Sequence, residues 1–302
     1  MKIKKNISKI LWQEFLKDTL ENNIYSQYKY LEIINHKFNN YILYDGEKPM
    51  VGAIIFQDNL KEVPTFYNTL FLSKTINSPH KIIEVCSIFL DQLKDYEKKI
   101  HLRTHHNFCD IRSFQWFNYS SEDSLKFFIQ PYYTCILDIN ESDNNQILKK
   151  INNGRKGNIK NAIKNNFFSE ISNDVEILNK LNNQTFLRQR SKNEIFLSTI
   201  MADKAIKNNF ASLFVTYDNL KKPHAASLFL HDDDASYYVV GGSLPETRQN
   251  GAASLNIYDQ ILNSINLKKK EIDFVGVNSP NRGYFKTSFG GHTKIYFELF
   301  YG

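Results

Sequence analysis

The sequence has no long hydrophobic run. No apolar stretch in its 302 residues approaches the roughly 18 residues that a membrane-spanning helix needs. The first 23 residues begin with several lysines, but they include Glu14, Asp18 and Glu21 and lack an apolar central segment. This segment therefore indicates an amphipathic helix and not a signal peptide. We expect no transmembrane segment, while peripheral contact with a membrane surface stays open.

Cysteine is also scarce, and the three cysteines are the scattered residues Cys86, Cys109 and Cys135. An odd, scattered set offers no disulfide framework, which favours a reduced, cytoplasmic protein. His101, His105 and Cys109 are spaced by four residues, as metal ligands on a helix would be. Residues 100–104, however, have the pattern of a strand, on which these side chains would not share a face. We therefore expect no metal site.

Acidic residues are absent between Asp143 and Glu170, although the whole chain has a net charge of only +6. The basic residues of this segment are Lys149, Lys150, Arg155, Lys156, Lys160 and Lys164. On a helix, Lys156, Lys160 and Lys164 would lie on one face. Such a face is either simply solvated or a surface for a polyanion, such as a nucleotide-linked precursor, tRNA or anionic lipid headgroups.

The two halves of the chain share one pattern of strands and turns. Residues 41–56 and residues 214–229 each read as strand, tight turn and strand, with Tyr-Asp before the turn and Lys-Pro near its end. Asp-Gly in the first segment and Asp-Asn in the second supply residues that tolerate the positive φ of a hairpin turn. The length of the chain leaves room for two domains.

The repeat continues into a helix and a second strand. In the first half a helix begins at Ser78-Pro79, where the missing N–H of proline costs nothing, and a strand follows at Ile100. In the second half an apolar stripe from Leu255 predicts a helix, and a strand follows at residues 272–277. The shared order predicts two tandem α+β domains, residues 1–130 and residues 131–302.

Only the second half carries an anion-binding pattern. A β-rich run at residues 237–240 ends in Gly241-Gly242, and the loop before the helix consists of Arg248, Gln249, Asn250, Gly251, Ala252 and Ala253. Free backbone N–H groups and the helix dipole attract an anion at such a helix start. The first half lacks this glycine, and Pro79 removes one N–H donor. We therefore expect the first domain to form one wall of an acceptor cleft.

Several segments carry a family resemblance. The Arg248 loop resembles the R/Q-x-x-G-x-G/A loop with which GNAT acyltransferases bind the pyrophosphate of acyl-CoA, with Ala253 as the last small residue. Residues 133–138 (YTCILD), 154–162 (GRKGNIKNA) and 285–290 (FKTSFG) resemble the motifs Y-T-x-x-L-D, R-x-x-I-r-x-A and F-K-x-x-F-G of the Fem-type aminoacyltransferases. Those enzymes build the interpeptide bridges of peptidoglycan. The resemblance is strong from about residue 100 onward, but the long coiled-coil arm of some members is absent.

The resemblance implies a fold and a reaction. The fold would be two tandem GNAT-like domains, each a mixed, mostly antiparallel sheet flanked by helices. The reaction would form an amide by acyl transfer to an amino group of a cell-envelope or polysaccharide precursor, which could be a small molecule or linked to a nucleotide or lipid. Acyl-CoA would be a co-substrate and not a permanently bound cofactor. The alternatives are an aminoacyltransferase that uses aminoacyl-tRNA, and a non-catalytic binder of polyanions or nucleic acid.

The resemblance also suggests roles for individual residues. Lys286 would stabilise the oxyanion, assisted by backbone N–H groups near Gly241 and Gly242. The six residues from Arg248 to Ala253 would hold the donor. Arg188 and Arg190 would bind a substrate phosphate through their guanidinium groups. Tyr238 and Tyr284 would hydrogen-bond the acyl group or the acceptor. No residue stands out as a general base.

Overall fold

A computed structural model of the chain describes residues 1–68, 70–108, 110–122, 124–189 and 199–302, without the side chains of Arg188, Gln189 and Arg248. Within these residues the helices are α1 (Lys9–Lys17), α2 (Tyr28–Ile34), α3 (Pro79–Leu93), α4 (Arg112–Gln115), α5 (Asn144–Lys150), α6 (Asn153–Lys164), α7 (Val175–Gln189), α8 (Thr199–Lys207), α9 (Thr247–Asn250), α10 (Ala252–Asn266) and α11 (Pro280–Thr287), with a 3₁₀ helix at Ile24–Ser26. The strands are β1 (Lys2–Lys5), β2 (Phe38–Asp45), β3 (Lys48–Phe56), β4 (Leu70–Leu72), β5 (Ile100–Arg103), β6 (Phe128–Asp138), β7 (Phe168–Ser172), β8 (Ala211–Tyr217), β9 (Pro223–His231), β10 (Ala235–Ser243), β11 (Glu271–Asp273) and β12 (His292–Tyr301). None of the described helices is long and apolar enough to span a lipid bilayer.

The chain divides into two compact units. The first comprises Met1–Tyr132 together with Ile295–Gly302, and the second comprises Tyr133–Lys294. The sequence pattern had placed residues 295–302 in the second domain. They lie in the first unit because residues 298–301 of β12 pair with residues 100–103 of β5.

The first unit contains the four-stranded antiparallel sheet β1-β2-β3-β4. The predicted hairpin is present as β2 and β3, and Gly46 in its turn has φ of 60°. The predicted helix is present as α3, whose N-cap Ser78 accepts a hydrogen bond from the N–H of Lys81, with Pro79 in the first turn. The apolar side of α3 is buried in the core of this unit through Val85, Cys86, Phe89, Leu90 and Leu93. Strand β5 confirms that residues 100–103 are not helical.

The N-terminal segment differs from the predicted single helix. Strand β1 comes first and pairs with β2, and the shorter helix α1 follows. Trp12, Phe15 and Leu16 are buried on one side of α1, whereas Ile10 and Leu11 are exposed. Periodicity missed β1 because four residues with one buried side chain carry almost no pattern.

The second unit is built on a sheet in the order β6-β11-β10-β9-β8-β7. The neighbouring strands are antiparallel, except that β10 and β11 are parallel. Helix α10 lies against this sheet, and the core includes Leu255, Ile261, Phe229, Phe274 and Phe289. The predicted α+β class, with mixed and mostly antiparallel sheets flanked by helices, is confirmed.

Candidate functional site

The two parallel strands of the second unit separate after a short pairing. Residues 235–237 of β10 pair with residues 271–273 of β11, where β11 ends. Strand β10 continues to Ser243 and pairs there with β9 alone. An opening therefore lies beyond the carboxyl ends of two parallel strands, which is where ligands bind in many α/β sheets.

A bulge against β6 follows directly after β11, next to this opening. The N–H groups of Phe274 and Val277 donate to the carbonyl oxygens of Cys135 and Tyr133, at 2.9 and 3.0 Å. Three residue steps on one chain thus face two on the other, which defines a β-bulge. Val275 has φ of 34° and Gly276 has φ of 52°. A β-branched residue at positive φ is strained, and such strain concentrates at functional sites. The predicted strand at residues 272–277 was therefore too long.

The carboxylate of Asp273 fixes the bulge. One of its oxygens accepts hydrogen bonds from the N–H of Val275 at 2.8 Å and from the hydroxyl of Thr134. Asp273 is completely buried. The thiol of Cys135 is also buried, and burial raises its pKa to about 12, with Asp273 adding to the effect. A neutral thiol at this position is not a nucleophile at physiological pH.

The side chain of Lys286 reaches the opening from α11. Its Nζ donates to the carbonyl oxygens of Val275 at 2.5 Å and Gly276 at 3.5 Å, and it lies 5.0 Å from the centre of the Tyr238 ring. The pKa of Lys286 is lowered to about 7, chiefly by burial; the charge of Asp273 opposes this shift and that of Arg282 adds to it. A lysine with its pKa lowered toward neutrality can donate a hydrogen bond in its charged form and accept a proton in its neutral form.

The ring of Tyr238 forms one side of the same opening. It stacks on Phe229 with ring centres 5.2 Å apart and meets the edge of Phe274. Burial raises the pKa of Tyr238 to about 12. A Cβ atom on Gly241 would overlap the Tyr238 hydroxyl, so this glycine leaves room for the tyrosine. The structure therefore brings Lys286, Tyr238 and Gly241 together.

The glycine pair, Gly241 and Gly242, lies within strand β10 and packs closely against its neighbours. Gly241 and Gly242 pair regularly with Ser227 and Ala226 of β9, so β10 does not end there. The irregularity falls between Tyr238 and Val240 instead. A Cβ atom on Gly242 would overlap the backbone of α7 at Leu181 and Asn182. Close packing of α7 on β10 accounts for Gly242, and a catalytic role for the pair stays a prediction.

The loop before α10 is already hydrogen-bonded within the protein. The N–H groups of Gln249 and Asn250 donate to Glu246 O, that of Gly251 donates to Thr247 O, and that of Ala252 donates to the side chain of Asn250. The two remaining residues of the predicted donor-binding loop are Arg248, whose side chain lies outside the described atoms, and Ala253 in the first turn of α10. A pyrophosphate would have to displace several of these bonds to bind as predicted.

Helix α6 accounts for the glycine of this loop. Gly251 has φ of 79°, and a Cβ atom there would overlap the carbonyl oxygen of Asn158. The side chain of Asn161 also donates to Gln249 O at 2.9 Å. Gly251 therefore allows α6 to approach α10, and room for a phosphate is not needed to explain it. Donor binding by the loop stays a prediction.

Arg155 also lies in this region; the sequence placed it in the basic run and in the GRKGNIKNA segment, but gave it no role in the site. Its Nε donates to Ser288 Oγ at 2.9 Å and its Nη1 to Ser254 Oγ at 2.7 Å. The guanidinium lies 4.3 Å from the centre of the Phe285 ring, and burial lowers its pKa. Arg155 thus connects α6 to the start of α10 and to the segment that carries Lys286. Its position in the GRKGNIKNA segment was the available signal.

The other predicted substrate residues are only partly described. Tyr284 is 71% exposed on α11, where its hydroxyl is accessible to a substrate. The side chain of Arg188 and the whole of Arg190 lie outside the described atoms, as does Cys109. Within the described ranges, no group of three or more His, Cys, Asp or Glu side chains could hold a metal ion.

Comparison with known proteins shows the fold. No protein-family model matches the chain, and no curated protein sequence matches it. The solved structure of FemX matches with a TM-score of 0.70 and 14% identity, over 99% of this chain and 97% of FemX. L-PGS from Bacillus licheniformis matches with a TM-score of 0.57 and 9% identity, over 97% of this chain and 91% of that one. A tandem GNAT protein from the clavulanic acid biosynthesis pathway matches with a TM-score of 0.51 and 6% identity, over 100% and 98% of the two chains. The predicted fold, that of Fem-type and tandem GNAT proteins, is confirmed.

Proposed function

We propose that the protein is an acyltransferase that forms an amide between an activated acyl or aminoacyl group and an amino group of a cell-envelope or polysaccharide precursor. The observation that carries this proposal is the position of Lys286. Its amine lies at the opening between β10 and β11, against two carbonyl oxygens of a strained bulge, with a pKa lowered to about 7. Such perturbed groups in a crevice are candidates for catalysis.

Lys286 suits the charge that develops during acyl transfer. The acceptor amine attacks the carbonyl carbon, and negative charge collects on the carbonyl oxygen. The attack forms the C–N bond; the carbonyl double bond then re-forms while the bond to the leaving thiol or ribose hydroxyl breaks, and the proton of the amine goes to that leaving group. A protonated lysine has three N–H donors. Two of them point to Val275 O and Gly276 O, so one remains for the oxyanion.

The hydrogen bonds of the 248–253 loop bear on the choice of donor. An acyl-CoA bound in the predicted way would need N–H groups that already donate to Glu246, Thr247 and Asn250. An aminoacyl-tRNA would not need them. Its phosphates could instead meet the α6 lysines Lys156, Lys160 and Lys164, for which the described part of the chain holds no acidic partner. We therefore propose aminoacyl-tRNA as the second candidate donor beside acyl-CoA.

A transfer assay tests the proposal. Purified protein would be given acetyl-CoA, longer acyl-CoAs or charged tRNA, each with nucleotide-linked amino sugars and peptidoglycan precursors as acceptors. We expect amide formation from one donor class. Lys286→Met should then lower kcat by about a hundredfold with KM little changed, because the ammonium meets full charge only in the transition state. Lys294→Met, which removes an exposed lysine of β12, is the matched control.

The outcomes separate the alternatives. A near-parental kcat in a folded Lys286→Met variant would remove this residue from the mechanism. If charged tRNA is the donor, Lys160→Glu should raise its KM while the same change at Lys294 should not. A protein that binds polyanions with steep salt dependence and transfers nothing would instead be the non-catalytic binder.

A further inference from the structure

A second cation lies one helical turn before Lys286. Arg282 and Lys286 are four residues apart on α11, so their side chains share one face with Cβ atoms about 6 Å apart. Arg282 is exposed, whereas the amine of Lys286 is enclosed at the opening. Arg282 therefore lies at the surface, and Lys286 lies one helical turn further along, at the opening between β10 and β11.

The guanidinium of Arg282 is held in place by neutral groups. Its Nε donates to Ser279 Oγ at 3.1 Å, and its central carbon lies 5.8 Å from the centre of the Phe186 ring. No acidic side chain pairs with it in the part of the chain that the structure describes. Its two terminal nitrogens have no protein acceptor there either. Among the described residues, the guanidinium is therefore oriented by Ser279 and Phe186, and its two terminal nitrogens are left for an external anion.

The described titratable groups around Lys286 do not compensate the positive charge of Arg282 at the surface. Asp273 faces Lys286 from β11, but its carboxylate already accepts from Val275 N and Thr134 Oγ1. Cys135 of β6 and Tyr238 of β10 are the other titratable neighbours of Lys286, and burial holds both neutral. Arg282 is close enough to lower the pKa of both Lys286 and Tyr238.

We infer that Arg282 binds an anionic group that the acceptor carries close to its reacting amine, an inference that rests on the proposed acyl transfer at Lys286. The acceptors would then be amines that bear a phosphate or a carboxylate within a few bonds of the nitrogen. A planar guanidinium pairs with either group through two parallel hydrogen bonds. Because Arg282 and Lys286 are one turn apart, the anionic group would dock at the surface while the amine extends toward the acyl carbonyl.

The test uses three small amines that share an aminoethyl group and differ in the group at its other end. Phosphoethanolamine carries a phosphate, β-alanine carries a carboxylate, and ethanolamine carries neither. Their binding would be followed through the NMR signal of the Lys286 side chain, assigned by its loss in Lys286→Met. We expect at least one anionic amine to bind about tenfold or more tightly than ethanolamine, since hydrogen bonds between charged groups are strong. The tighter of the two identifies phosphate or carboxylate.

Variants at Arg282 complete the test. Arg282→Met should abolish the preference for the anionic amine and raise the pKa of Lys286, because a neighbouring positive charge is removed. Arg282→Lys should keep the positive charge, the lowered pKa of Lys286 and part of the preference. Lys294→Met on β12 should leave both the preference and the pKa of Lys286 unchanged. An equal affinity for the three amines in the parent protein, including no binding at all, would overturn the inference. So would a preference that survives in Arg282→Met. The affinity for the three amines and the pKa of Lys286 are both measured without turnover. This inference can therefore fail while acyl transfer is observed. Conversely, a failure to observe transfer would not change either measurement.

Discussion

Replacing Lys286 with methionine should stabilise the folded protein while it lowers kcat by about a hundredfold. The folded state holds the amine where burial disfavours its charged form, so protonation of Lys286 costs stability that an unfolded chain does not lose. Methionine has a similar length and no charge, and it would keep contact with the Tyr238 ring. A residue whose removal raises stability and lowers activity marks a site selected for chemistry.

The magnitude follows from the pKa. Lowering it from 10.5 to about 7 corresponds to a ceiling of about 5 kcal/mol in the fully protonated protein. Two effects reduce the gain. The side chain is only partly buried, and the carbonyl oxygens of Val275 and Gly276 lose their donor, which costs about 1–3 kcal/mol. We therefore expect Lys286→Met to be more stable than the parent by about 1–3 kcal/mol at pH 7.

The gain should depend on pH in a defined direction. Between pH 7 and pH 10.5 the unfolded chain binds a proton at Lys286 and the folded protein does not, so the parent becomes more stable as pH rises through this window. Below pH 7 both states are protonated and the full penalty applies. The difference between variant and parent should thus be largest at pH 7 and below, and it should shrink toward pH 10.

Urea unfolding at several pH values measures this difference. Far-UV circular dichroism is the better probe, because both tryptophans, Trp12 and Trp116, lie in the first unit and would report on that unit. If the unfolding transitions followed by circular dichroism and by tryptophan fluorescence coincide, a two-state treatment is justified. Lys294→Met should show no pH-dependent difference. A Lys286→Met variant that is less stable than the parent, or whose difference is the same at every pH, would refute the reasoning.

Three further outcomes can be checked. Gly251→Ala should lower the free energy of unfolding in urea by on the order of 3 kcal/mol, because Gly251 has a positive φ and a Cβ atom there would overlap Asn158. The control Gly157→Ala, in open space on α6, should raise it by roughly 0.5–1 kcal/mol. Equal effects of the two substitutions would be inconsistent with this packing. If Lys286 acts as an ammonium, kcat should fall as pH rises through about 7, and a rise through that pH would make it a base. Cys135 should resist thiol reagents at pH 8 in the folded protein, and rapid labelling there would contradict its burial.

Local signals in the sequence determined most of the elements. The hairpin of β2 and β3 follows from the two β-rich runs on either side of Asp-Gly, and the start of α3 follows from Ser78-Pro79. The order of these elements in both halves, together with the FKTSFG segment, predicted the fold that FemX shares. Each of these signals lies within a few residues of the structure it specifies. Backbone propensity and side-chain periodicity are therefore enough to reveal them.

Only the tertiary structure decided how the site is built, because the deciding contacts join distant residues. The bulge at Val275 depends on Thr134 and on a shift of pairing against β6, more than a hundred positions away in the chain. Gly251 is explained by Asn158 on α6, and not by a phosphate, although the loop alone suggests the latter. The lowered pKa of Lys286 likewise arises from burial by strands and helices that no local pattern identifies. A sequence can place a lysine in a motif, but packing sets its dielectric surroundings, and those determine its charge at neutral pH.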